Sequence, residues 1–123
     1  PHTIAGDGDP VDVLVVSPFP LPPGVVVRCR PIGVLAMTDE AGDDAKLLAV
    51  PVDKLTPMYR NVMSHADMPN LLLDQIAHFF AHYKDLEPGK FVNVVGWRGP
   101  EEAKKEVVDG VAAYNSAKEK PNF

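Results

Sequence analysis

Seven carboxylates fall in two short runs, each beside an apolar segment. The first run is Asp7-Gly8-Asp9-Pro10-Val11-Asp12, leading straight into Val13-Leu14-Val15-Val16. The second is Thr38-Asp39-Glu40-Ala41-Gly42-Asp43-Asp44-Ala45-Lys46. Two like charges about 4 Å apart repel by about 4 kcal/mol at an effective dielectric near 20. If the fold brings the runs together, something cationic must balance them. Carboxylate oxygens are the hard ligands that Mg2+ and Mn2+ prefer. Lys46, closing the second run, can balance the cluster itself or hold an anionic substrate.

Plainer readings stand beside this one. An Asp/Gly/Pro stretch is also an ordinary turn that starts a strand, and an acidic loop is also an ordinary solvated hairpin tip. An EF-hand is excluded, because its twelfth position needs Glu and the residue there is Pro18. His78 and His82 are one helical turn apart and face one direction. The intervening Phe79, Phe80 and Ala81 give no catalytic Glu of the His-Glu-x-x-His kind, so the pair reads as a structural or subunit contact before it reads as a metal site. Tyr83-Lys84 is either a core aromatic with a capping cation or a phenol and an ammonium turned toward an anion. Arg28 and Arg30 read as solvated, Trp97 as packing, and Cys29 as a buried structural thiol.

The elements that must position these residues follow from apolar pattern and breakers. Residues 11–17, 25–30, 32–37, 46–52 and 90–97 read as strands, with 38–45 as a hairpin-like connection. Ser17-Pro18-Phe19-Pro20-Leu21-Pro22-Pro23-Gly24 is an extended connector closing on a turn. Pro57 and the polar residues near Asn61 and Ser64 mark a long loop. Asp67 reads as the N-cap of a helix that runs to about Tyr83, with Pro69 in its first turn. Leu72, Ile76, Phe79, Phe80 and Tyr83 form its apolar stripe. Pro100-Glu101-Glu102 opens a second helix with acids at its positive end, buried through Ala103, Val107, Val111 and Tyr114. The tail after Lys118 is expected to fray. This order gives one small α+β, mainly β domain spanning 1–123, with an antiparallel or barrel-like sheet that is short of strands.

Composition narrows the classes. The chain has 123 residues, 46% apolar and 24% charged, enough for one core-bearing domain. No apolar run approaches the ~18 residues of a membrane span. Pro1-His2-Thr3 has neither a basic nor an apolar leader segment and no initiator Met, which suggests a processed or truncated chain. The lone Cys29 forms no internal disulfide, which fits a reducing, cytoplasmic setting. The net charge of −5 belongs wholly to residues 1–53, with eight acids and three bases; residues 54–123 carry nine of each. That field repels nucleic acid and attracts divalent metal.

The Asp-Gly-Asp-Pro-Val-Asp-Val stretch (7–13), the Met-Thr-Asp-Glu-Ala-Gly-Asp-Asp-Ala-Lys stretch (37–46) and the Ile-Ala-His-Phe-Phe-Ala-His-Tyr-Lys-Asp-Leu stretch (76–86) resemble the soluble, bacterial-type family I inorganic pyrophosphatases. The resemblance runs from Pro1 to about Lys118. It implies an OB-like five-stranded barrel with two flanking helices, and Mg2+-dependent hydrolysis of pyrophosphate to two phosphates, with Mn2+ or Zn2+ as substitutes. By position it implies that Asp7, Asp12 and Asp44 bind the activating metals and Asp39 those arriving with substrate. Asp9 would be the general base, while Lys46, Tyr83 and Lys84 would hold the phosphates. His78 and His82 would lie at a subunit contact of a homo-hexamer. Members of the family begin well upstream of Pro1, and that portion supplies early strands, further acid, and a Lys, an Arg and a Tyr of the phosphate site. Two other readings are weighed against an active hydrolase. One is an inert fragment that keeps metal binding and oligomer contacts. The other is a non-catalytic OB-like binding module, which would want exposed aromatics and a basic groove.

Overall fold

The computed structural model describes residues 1–121 of the 123. Five strands form one mixed sheet: β1 (Asp12–Val15), β2 (Cys29–Asp39), β3 (Gly42–Asp43), β4 (Lys46–Pro51) and β5 (Val92–Arg98). Two helices flank it, α1 (Asn70–His82) and α2 (Pro100–Ser116), and short 3-10 turns cover Pro57–Tyr59 and His65–Asp67. The sheet runs β1-β4-β2-β3, with β5 paired to β2. β1 is parallel to β4, and the other pairings are antiparallel. The sheet is therefore mixed, where the sequence suggests an antiparallel or barrel-like one.

β2 is the spine. Its first half pairs with β4 and its second half with β5, so the sheet must turn as it passes along this strand. Register shifts at Pro31/Gly33 on β2, and opposite Ala36/Met37 where Gly96 has φ 139°, mark the bends. Bulges of this kind bend a strand and increase its twist. The result is the curled half-barrel with two helices expected from the OB-like resemblance.

Alternation along the strands gives each face to one helix. Leu35 and Met37 of β2 pack with Phe80, Ile76 and Ala77 of α1. Ile32, Leu48 and Val50 join Tyr59, Met68 and Leu73 on the same side, and Trp97 bridges the two groups. On the opposite face Val34 and Leu47 meet Ala103 of α2. Every residue of β4 is buried, the mark of a central strand.

Several sequence-based expectations are corrected by this packing. The segment 25–30 is not a separate strand: only Cys29 and Arg30 are in one, and they belong to β2, while Val26 is 95% exposed. Asp67 does not start α1. It closes a capping box on the 3-10 turn at His65–Asp67, and α1 begins after Pro69. Phe79 and Tyr83 stack on each other on the open side of α1, leaving Leu73 and Phe80 as its buried residues. On α2, Gly110 is buried and Val111 is exposed, because Val11, Thr3 and Ile4 lie directly against Gly110. Arg30 is not solvated: its guanidinium donates to the carbonyls of Val62 (2.5 Å) and Tyr59 (2.6 Å), pinning the loop before α1 to the spine. Of the tail expected to fray, Lys120 instead donates to the carbonyls of Tyr114 and Asn115 at the end of α2; residues 122–123 lie outside the described residues. No described helix is long and apolar enough to cross a membrane.

Candidate active site

The two acidic runs meet through Lys46, which lies between Asp12 and Asp44, while Lys84 is held by Asp39 and Glu40 of the second run. Parallel pairing of β1 with β4 puts Asp12 directly opposite Lys46. Lys46 Nζ donates to Asp12 Oδ2 at 2.5 Å and lies 2.6 Å from Asp44 Oδ1. Asp44 is buried at the mouth of β4, where its backbone N–H donates to the Met37 carbonyl. The lysine side chain is also buried and sits 5.8 Å from the Phe80 ring centroid. Burial by itself pulls the Lys46 ammonium down, but the hydrogen bonds it donates to Asp12 and Asp44 outweigh that and raise the group above its ordinary value. Lys46 is therefore a fixed positive charge between the two runs.

The second pairing comes from the hairpin tip. Thr38 and Asp39 pair with Asp43 and Gly42, so Asp39 ends β2 at the turn. The chain leaves α1 at Tyr83, and Lys84 Nζ reaches Asp39 Oδ2 at 2.6 Å and Glu40 Oε1 at 3.6 Å. The Lys84 hydrogen bond holds the Asp39 carboxyl below the usual carboxylate range, helped by the Ala41 N–H. Reciprocally, the Asp39 hydrogen bond drives the Lys84 ammonium well above its ordinary value. Lys84 Nζ also lies 5.5 Å from the Tyr83 ring centroid, so the phenol and the ammonium remain together at the end of α1.

Asp7 and Asp9 form their own small turn. Asp7 Oδ1 accepts the Asp9 N–H at 3.0 Å, and Ala5 N–H donates to the Asp9 carbonyl at 2.7 Å. Gly8, at φ 90°, takes the left-handed conformation this turn requires. Val11 N–H donates to Thr3 Oγ1, which ties the turn to the start of the chain. The Asp9 side chain is exposed, and among the described residues its carboxylate accepts no hydrogen bond. His78 and His82 lie with ring centroids 4.5 Å apart on the open face of α1, and His82 Nδ1 is 2.9 Å from Asp85 Oδ2.

Among the described residues, no three His, Cys, Asp or Glu side chains are grouped so that they could hold a metal ion. What the fold does bring together is the Asp12 and Asp44 pair, and a cation such as Mg2+ keeps several waters and binds through one or two carboxylates. The donor set is all carboxylate, and each carboxylate pair already holds a cationic group. Asp12 and Asp44 share one position, the one Lys46 now holds, and such an oxygen pair suits a hard divalent cation; Asp39 is engaged apart by Lys84 and Asp7 by the Asp9 N–H, so the four carboxylates that the sequence reads as metal ligands are not one group among the described residues. Glu40 belongs to the second acidic run, but the sequence assigns it no role of its own. Besides approaching Lys84, it accepts the Phe91 N–H at 3.5 Å and so ties the hairpin tip to the segment before β5. Its position next to Asp39 was the available signal.

The family model for inorganic pyrophosphatase matches residues 1–115. An inorganic pyrophosphatase of Ralstonia nicotianae is 65% identical over 114 residues, covering 93% of this chain and 65% of the relative. One from Escherichia coli K12 is 60% identical over 119 residues, covering 97% of this chain and 66% of the relative. The solved inorganic pyrophosphatase of Helicobacter pylori superposes with a TM-score of 0.90 at 46% identity, over 94% of this chain and 68% of that one. The chain thus spans about 65% of the length of the curated relatives it matches. Family match, sequence identity and the same curled sheet agree, and the chain belongs to the inorganic pyrophosphatase family.

Proposed function

We propose that this chain, as one domain, carries the metal and phosphate site of a Mg2+-dependent enzyme that hydrolyses pyrophosphate to two phosphates. The observation that supports this most is the pairing of Lys46 with Asp12 and Asp44 beside the pairing of Lys84 with Asp39. A substrate with several phosphate oxygens needs cations, and cations need carboxylates to hold them; this edge of the sheet offers both.

In this reading Asp7, Asp12 and Asp44 hold the activating metals and Asp39 those that arrive with the substrate. The divalent ions supply charge neutralisation of the phosphates and lower the pKa of a bound water. Asp9 accepts the proton of the attacking water. Its carboxylate is exposed and next to Asp7, so it is free to do so. Lys46, Lys84 and the Tyr83 hydroxyl hold and orient the phosphates. Phosphoryl transfer depends on positioning and charge more than on covalent chemistry, which suits a site of carboxylates and ammoniums without a nucleophile. Mn2+ or Zn2+ would substitute for Mg2+. His78 and His82 would face another subunit of a homo-hexamer, in the cytoplasm.

The test is phosphate release from pyrophosphate by the 123-residue chain, verified by intact mass, with Mg2+ and with EDTA. Mg2+-dependent release that Asp9→Asn abolishes supports the proposal. Metal binding without turnover supports instead the fragment that retains ion and oligomer contacts.

A further inference from the structure

We propose that Lys46 is a tethered stand-in cation. In this proposal it neutralises Asp12 and Asp44 until a divalent ion takes their oxygens, and its ammonium is then displaced into the adjoining groove, where it becomes available to phosphate. The inference rests on the assignment of Asp12 and Asp44 as metal ligands. It goes beyond that assignment by making Lys46 a competitor of the metal before it is a ligand of the substrate.

Three observations carry it. First, Nζ sits on the same oxygens a metal would use, at 2.5 Å from Asp12 Oδ2 and 2.6 Å from Asp44 Oδ1. A hard divalent ion and an ammonium on one oxygen pair would repel each other in a buried place, where charge interactions are strong. Second, the oxygens are unequally held. The Asp44 side chain is 5% exposed and the Asp12 side chain 58%, so an ion can reach the pair from the Asp12 side. Third, the ammonium has somewhere to go. A groove of about 220 Å³, lined by Asp12, Val13, Leu14, Lys46 and Phe80, opens beside it. Nζ already lies 5.8 Å from the Phe80 ring centroid at the side of this groove, and the flexible four-carbon stem of lysine permits the swing.

The consequence is an order of events. While Lys46 is engaged by two carboxylates it has little to give a phosphate. Once metal has taken those carboxylates, the same ammonium is free, so metal binding and anion binding reinforce one another. Such coupling is reciprocal by necessity.

Two measurements without substrate test this. In the first, isothermal titration with MgCl2 compares the chain with Lys46→Met, whose side chain has similar length and no charge. The variant should bind Mg2+ more tightly by about 5-fold or more, a typical coupling between linked sites. Its melting temperature in EDTA should be lower than that of the parent, and its gain on adding Mg2+ larger. Equal or weaker Mg2+ affinity in a folded variant overturns the proposal. The second uses the unaltered chain and so does not depend on the variant folding. The Lys46 Nζ–H3+ resonance, held by two carboxylates in EDTA, should shift or exchange away at saturating Mg2+. A resonance unchanged at saturation overturns the displacement while leaving the metal site intact. No heat of Mg2+ binding to the parent chain overturns both the site and the inference.

Discussion

Asp12 and Lys46 are register partners on parallel strands, and their side chains meet on the face of the sheet that α1 covers. That one pairing links the first acidic run to the second. It also makes the site depend on β1, an edge strand of four residues. A slip of one residue would turn Asp12 to the other face and leave Lys46 opposite Val11 or Val13.

Leu14 guards against that slip, because it packs on both of the groups under α1 and lies two residues from Asp12 on the same face. Leu14→Ala is expected to cost about 1–3 kcal/mol, below the range for fully buried leucines because Leu14 is only partly covered. It should also weaken Mg2+ affinity although Leu14 has no metal-binding atom. Urea unfolding followed by calorimetric Mg2+ titration measures both; a loss of stability with unchanged affinity would show that Asp12 is positioned without it.

Gly33 has a different constraint. A Cβ there would come 2.7 Å from His65 Cβ, and His65 in turn stacks on Trp97 at 5.7 Å between centroids. Gly33→Ala must push His65 away, and overpacking of this kind costs about 1–3 kcal/mol. The stack is next to the lone tryptophan, so the fluorescence and near-UV dichroism of Trp97 should change along with the unfolding midpoint. Wild-type spectra and midpoint would mean that the turn at His65–Asp67 yields freely.

Asp67 gives the pH dependence. Hydrogen bonds from the Met63 and Ser64 N–H groups hold its carboxyl below the ordinary range near 3.9. A folded value below the unfolded one means that the charged form stabilises the fold. The stabilisation is therefore full above about pH 5 and is lost as the pH falls through the folded value. Asp67→Ala should unfold at lower denaturant than the parent at neutral pH, and the gap should narrow as the pH falls from about 5 to below the ordinary carboxylate value near 3.9. A constant gap over that window would assign the effect to packing and not to the carboxylate.

What the sequence discloses here is what lies close in the chain. The two acidic runs, the hairpin at Asp39–Gly42 and both helices are legible because turn residues, charge and 3.6-residue periodicity are local. The errors share a physical cause. Val25-Val26-Val27 has the composition of a strand, but β-propensity records fit to a pleated, half-buried surface, and among the described residues this triplet has no partner strand. Ser64-x-x-Asp67 is a sound capping box, but nothing local says that it closes a single 3-10 turn before Pro69 restarts the chain. Arg30 reaches carbonyls 29 and 32 residues away, and Lys84 reaches a carboxylate 45 residues away, so neither contact has a local signature. For the same reason Lys84 can be named as a site residue from the motifs while its engagement with Asp39 cannot be read before the fold; Lys46, which closes the acidic run itself, is legible as a charge that balances it.

Asp9 and Asp12 are three residues apart and have opposite structural fates, which gives the sharpest test of roles. Asp12 is engaged by Lys46, whereas among the described residues the Asp9 carboxylate accepts no hydrogen bond and only its backbone is used, by Asp7 and Ala5. In whichever form turns over pyrophosphate, this chain or one extended to the length of its relatives, Asp9→Asn keeps the size of the side chain and removes the proton acceptor. Loss of a general base costs about 10²–10⁴-fold in rate, and added Mg2+ should not restore it because Asp7 and Asp12 are still present. Asp12→Asn should instead raise the Mg2+ requirement, and much of its rate loss should return at high Mg2+. It also strips Lys46 of one partner, so its melting temperature in EDTA should fall, whereas that of Asp9→Asn should stay near the parent value. Steady-state rates across a Mg2+ series, with melts in EDTA, separate the two. Equal rescue of both variants by metal would make Asp9 a ligand and move the base elsewhere.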